Sequence, residues 1–192
     1  MRNLLNGVVF IGVMILAVIG LSACSGSYTS PHQLPSSARL GASFYTQVGM
    51  FYEKGRYRTT NYGVGTFIPV NTEVKLVEFG EKTLTVEVAQ TGDSILVENV
   101  PRFTGWTMAE AFETLFATEK VSLFKFDAQE RKNIEQGSIQ PGMSKAAVIV
   151  ARGYPPSHET PSLERDQWKF WKNRWDTIIV SFRNDRVVDI KN

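Results

Sequence analysis

Apolar residues fall along this chain in three regimes. Between Gly7 and Leu21 they run together for 15 residues without a charge. From about Gly41 to Phe103 they come in short bursts separated by turn residues, the signature of strands. Thr72 to Phe79 predicts one strand, Gly80-Glu81 a turn, and Lys82 to Val88 a second strand with Leu84, Val86 and Val88 on one face. Thr91-Gly92-Asp93 predicts the next turn and Ser94 to Val97 another strand. Three such strands do not make a stable sheet alone. Upstream pieces around Val48–Tyr52, Arg56–Tyr62 and Thr66–Pro69 are expected to complete a small barrel.

Helical periodicity takes over at Thr107. Thr107-Met108-Ala109-Glu110 is a capping box, in which hydroxyl and carboxylate satisfy opposite backbone N–H groups. Met108, Ala111, Phe112, Leu115 and Phe116 follow at helical spacing, which predicts a helix to about Thr118. A second helix starts at Asp127, with Glu130 three residues on, and ends near Gly137. A third takes Ser144 as N-cap and closes at Gly153, where Pro155 and Pro156 prevent continuation. Gln167 to Trp171, Thr177 to Arg183 and Arg186 to Ile190 then predict an antiparallel meander. The expected fold class is α+β: a small β-barrel followed by a two-layer unit of two helices and three strands.

The order of a long early loop and then a meander resembles an SH3-like barrel. A second resemblance rests on Ile134, Gly137, Gly142-Met143-Ser144, Val148, Gly153-Tyr154-Pro155, Trp168-Lys169-Phe170, Ile179 to Phe182 and Val187. Together they resemble the BamE/SmpA/OmlA-type outer-membrane lipoprotein domain, over residues 127–192. That resemblance implies a helix–helix–three-strand fold and an accessory place in the machinery that inserts β-barrel proteins into the outer membrane. Small members of that family are little more than this domain, whereas this chain carries an additional β region of about 60 residues ahead of it.

The first regime changes where the protein is expected to work. Arg2 precedes the apolar run, which as a helix would reach roughly 22 Å at about 1.5 Å per residue. That is short of a comfortable bilayer span, so residues 1–23 read as a cleaved secretory signal. Leu21-Ser22-Ala23-Cys24 resembles a bacterial lipobox, and Cys24 is the only cysteine in the chain. The resemblance implies a diacylglyceryl thioether on the Cys24 sulfur and an acyl group on its freed amine. Ser25, rather than an aspartate, then favours the outer membrane. Residues 24–40 are expected as the lipidated cysteine and a flexible tether, 41–103 as the β domain, 104–126 as a helical connector and 127–192 as the α+β domain.

Charge and composition narrow the chemistry. The chain has 192 residues, with 21 Lys and Arg against 19 Asp and Glu, a formal net of +2, so no global field recruits nucleic acid. Residues 41–100 hold five basic and seven acidic groups, whereas residues 141–192 hold nine and six. Two histidines and one cysteine argue against a structural zinc site, and no metal or other cofactor is expected. His32 lies in the tether and His158 between Ser157 and Glu159, where chain neighbours do not face one another as a triad must, so no catalytic residue is assigned.

The unusual feature is Trp168 to Trp175, which holds three of the four tryptophans. Strand alternation sends Trp168 and Phe170 inward, with Val180 and Phe182 beside them. It leaves Trp171 and Trp175 outside with Lys172 and Arg174, a candidate partner-binding surface of the aromatic and arginine type found at interface hot spots. The alternative is that the β domain covers this outer face. The expected protein is a non-enzymatic, lipid-anchored scaffold or accessory factor of the outer membrane, facing the periplasm. Its expected partners are membrane lipid through Cys24, an envelope protein, and anionic lipid or peptidoglycan, but not nucleic acid. The competing expectation is an envelope-binding module that takes peptidoglycan or anionic lipid through the SH3-like domain.

Overall fold

The computed structural model describes residues 34–192. The expected signal segment, Cys24, His32 and most of the expected tether lie outside the described residues. The fold is mixed α+β, with a curled, half-barrel sheet and few helices.

Seven strands open it: β1 (Ser43–Thr46), β2 (Met50–Tyr52), β3 (Arg56–Arg58), β4 (Thr66–Ile68), β5 (Glu73–Phe79), β6 (Thr83–Val88) and β7 (Ser94–Glu98). Then come α1 (Pro101–Thr104), α2 (Met108–Leu115) and β8 (Phe116–Ala117). The six-stranded sheet runs β3-β7-β6-β5-β1-β8, and β2 pairs only with β4. The expected strands are therefore present, but they do not close into one barrel. β2 and β4 form a separate ribbon, and β3 joins the sheet by parallel pairing with β7, Tyr57 opposite Val97. β1 and β8 pair through Tyr45 with Ala117 and Thr46 with Phe116, and β1 turns Phe44 and Thr46 inward.

Helix α2 forms where its capping box predicts, with Thr107 Oγ1 accepting from the Glu110 N–H and Glu110 accepting from the Thr107 N–H. It stops at Leu115 rather than Thr118, because Phe116 turns extended and pairs with β1. Its apolar face lies on the curled sheet. Phe112 meets Phe44 at 5.0 Å, Phe79 at 5.9 Å and Phe116 at 5.7 Å between ring centroids. Val74, Leu76, Leu84, Val86, Ile95 and Val97 complete this first core. The stretch 104–126 thus gives its helix to the β unit. The non-helical remainder leads to the second core, held by Asn71, whose side chain donates to Val121 O and accepts from Val121 N.

The second unit consists of α3 (Ala128–Glu135), α4 (Lys145–Arg152), β9 (Gln167–Trp171), β10 (Thr177–Arg183) and β11 (Arg186–Lys191). Its sheet is antiparallel, β11-β10-β9, and its core holds Ile134, Met143, Val148, Trp168, Phe170, Val180 and Phe182. Both helix starts fall at the predicted caps, Asp127 and Ser144. Glu130 closes the α3 capping box and also accepts from the Ser144 N–H at 2.7 Å, so one buried carboxylate joins the starts of both helices. The two cores touch: Ile149 packs against both, and Val70, from the loop after β4, enters the second.

Candidate functional site

The two units meet at Arg152, the last residue of α4, only 5% exposed. Burying a guanidinium costs several kcal/mol unless its donors are satisfied. Here no carboxylate satisfies them. Nη1 donates to Asn61 Oδ1 at 3.0 Å, and Nη2 donates to Asn61 O at 3.3 Å and Trp171 O at 3.2 Å. The cation lies 4.9 Å from the Phe51 ring centroid and 5.9 Å from that of Phe170, so aromatic faces from both units supply the rest of its environment. Burial pulls the Arg152 pKa down to about 10. Tyr57, also buried, is pushed up from the usual phenol value by the same loss of solvent, partly opposed by the Arg152 charge.

Asn61 completes the lock from the other side. Its Nδ2 donates to Arg152 O at 2.7 Å, the last carbonyl of α4, and to Tyr154 O at 2.9 Å, just past the helix end. It sits at φ 59°, a left-handed conformation that asparagine tolerates better than most residues. Gly63 follows, with its N–H shared between Trp171 O and Lys172 O at 3.0 and 2.9 Å. A Cβ at Gly63 would collide with the Arg152 guanidinium, so glycine is required by close approach. The loop 61–65 is therefore fastened to the end of β9.

This fastening separates the four residues expected to share an outer face. Trp168 and Phe170 do point inward, at 1% and 0% exposure. Trp171 points the other way, as expected, but is half-buried, with its ring near Tyr62 at 6.3 Å and almost parallel to His158 at 6.4 Å. Its indole N–H has no hydrogen-bond partner among the described residues. Trp171 thus belongs to the seam between the units, in line with the alternative in which the β unit covers that face. The physical cause is the pair of Gly63 hydrogen bonds, which bring the loop over the strand end.

Lys172, Arg174 and Trp175 lie beyond the cover. Asn173 Oδ1 accepts from the N–H groups of Trp175 and Asp176, and Lys172 N donates to Asp176 O, so the turn is internally braced. It presents Trp175 at 81% exposure, with the Arg174 guanidinium 5.2 Å from the Trp175 ring centroid. Lys172 Nζ reaches Asn192 Oδ1 at 3.2 Å. His158 packs on Phe103 at 4.6 Å, with its Nε2 3.6 Å from Glu159 Oε1, and Lys169 holds Glu159 at 3.0 Å. Among the described residues no group of three His, Cys, Asp or Glu could hold a metal ion.

Sequence reasoning missed Arg152, Asn61 and Gly63. The one signal in the chain is the run Asn61-Tyr62-Gly63-Val64-Gly65, whose asparagine and two glycines mark a loop that a second backbone can approach closely. Nothing in the helical pattern marks Arg152 as buried rather than as an ordinary basic residue in a last turn. No family model matches the chain, and neither a curated protein nor a solved structure matches it.

Proposed function

We propose that this protein is a non-enzymatic scaffold or accessory factor of the bacterial outer membrane. It is held there by acylated Cys24 and faces the periplasm, where it positions an envelope protein partner. In this proposal the first unit is an SH3-like module and residues 127–192 are a BamE/SmpA/OmlA-like domain. The observation that carries it is the braced turn 172–176, which holds a nearly fully exposed tryptophan against an arginine on a body whose halves are locked together. Large aromatics and arginines dominate protein interfaces energetically, and a rigid presentation lowers the entropy cost of association. His158, the one histidine among the described residues, packs on the Phe103 ring beside Glu159, which suits binding better than turnover.

The test is recovery of partners from detergent-solubilised outer membranes with the full-length chain. Wild type should retain a partner that Trp175→Ala and Arg174→Ala lose, at unchanged melting temperature. Intact mass should begin at Cys24 with diacylglyceryl and acyl additions. Equal recovery by all three proteins, or an unmodified chain beginning at Met1, would overturn the proposal. A second proposed role, an envelope-binding module that takes peptidoglycan or anionic lipid through the first unit, is favoured by the distribution of cations on that unit.

A further inference from the structure

The first unit is acidic overall, yet its cations are not evenly spread. Of the five basic residues in 41–100, Lys54, Arg56 and Arg58 line one open groove of about 360 Å³. Phe51, Tyr62 and Val64 give it apolar and aromatic walls, and Glu53 is its one acidic lining residue. Arg56 and Arg58 extend from alternate positions of β3, so they share a face. Glu98 holds both, accepting from Arg56 Nη1 at 3.2 Å and from Arg58 Nε at 3.0 Å. One carboxylate against two guanidiniums leaves most of their N–H donors free and fixes their direction. Lys54 has no ion pair among the described residues and sits at the turn between β2 and β3.

The field in this groove has a second source. Arg152 lies against the Phe51 ring, and no carboxylate neutralises it. A charge held in a region of low dielectric is poorly screened, so it adds positive potential to the groove that Phe51 lines. The groove therefore offers an anion several N–H donors, and offers a ring-shaped apolar surface Tyr62 with Phe51 and Val64 as flanking walls.

We infer that this groove is a binding site for a glycan that carries carboxylates. A sugar ring presents C–H groups to Tyr62, beside the apolar walls of Phe51 and Val64, and its carboxylate meets Arg58, Arg56 or Lys54. The volume lies in the range of small-ligand sites and is concave. A flat bilayer surface would instead meet what protrudes, such as Trp175. The inference rests on the envelope-facing role proposed above and names the chemistry of one ligand in that setting.

The test is calorimetric titration of the full chain in detergent micelles with tetragalacturonate as probe. Binding is expected at low salt, at least tenfold tighter than for neutral cellotetraose, and weakening as salt rises. Arg58→Ala and Lys54→Ala, both changes at exposed positions, should each lower affinity about tenfold. Tyr62→Leu should lower it for the acidic and neutral glycans alike. Absence of binding, or affinity unchanged in both cation variants, would overturn the inference. So would equal binding of polyglutamate or of phosphatidylglycerol vesicles, which would mark an acidic peptide or a lipid surface as the occupant. Partner recovery with Trp175→Ala is read separately. If it still falls when tetragalacturonate fails to bind, the glycan inference alone is lost; glycan binding without any effect of Trp175→Ala or of Cys24 removal would leave the scaffold role wrong instead.

Discussion

The two units bury aromatic cores of similar character but assemble them differently. In the second, every strand pairs with its neighbour in sequence, β9 with β10 and β10 with β11. In the first, β1 pairs with β5 and β8, and β3 runs parallel to β7 some forty residues away. Local pairing costs little loop-closure entropy, whereas the distant pairs must close long loops before any contact rewards them. The second unit is therefore expected to be the more autonomous half. The first depends on what closes it: α2 on one side, and the Asn61–Arg152 lock on the other.

The largest effect expected is in the autonomous half. Trp168→Ala removes a side chain that is 1% exposed and whose indole N–H donates to Leu163 O at 3.2 Å. The loss should be about 3–5 kcal/mol in urea denaturation, enough to unfold much of the unit. A loss below about 1 kcal/mol would show that the three-stranded sheet does not rely on this core.

Next comes the lock. Asn61→Ala deletes two donors to carbonyls of the α4 end and the acceptor of Arg152 Nη1, and forces alanine to φ 59°. A cost of about 2–4 kcal/mol is expected, and with it a change in the form of unfolding. Three of four tryptophans report the second unit, so fluorescence and far-ultraviolet dichroism should coincide in wild type and separate in the variant. Asn61→Gly relieves the backbone strain while losing the same hydrogen bonds, which isolates their share. Coincident transitions in both variants would mean that the seam does not couple the units.

The smallest effect is confined to alkaline pH. The Tyr57 phenol is held protonated by burial, so the stability it contributes is full below about pH 10 and is lost as pH rises above that, where the unfolded chain ionises first. Arg152 acts in the opposite sense. Its pKa is lowered to about 10 from 12.5, so the cost of burying its charge shrinks as pH climbs between those values. In wild type the two trends offset. Tyr57→Phe removes one of them, and its stability relative to wild type should rise above about pH 10, by at most about 1.4 kcal/mol per pH unit. A stability difference that stays flat from pH 9 to 11.5, on a scale of about one proton, would exclude a buried Tyr57 phenol as the alkaline weak point.

The chain by itself determined whatever depends on neighbours a few residues apart. The capping boxes at Thr107 and Asp127, the Ser144 cap, the β9–β11 meander and the inward face of Trp168 and Phe170 are all set by local hydrogen bonds or strand alternation. So were the exposed members of the candidate surface, Lys172, Arg174 and Trp175, because they occupy a turn. Only the tertiary structure decided that Trp171 is half covered, that β2 and β4 stand apart from the six-stranded sheet, and that α2 belongs to the first core. It also decided the role of Arg152. A basic residue at a helix end looks the same in sequence whether it faces water or lies beneath a loop from ninety residues upstream. Its burial follows from Asn61 and Gly63 closing over it, a contact between distant parts of the chain that no local periodicity encodes.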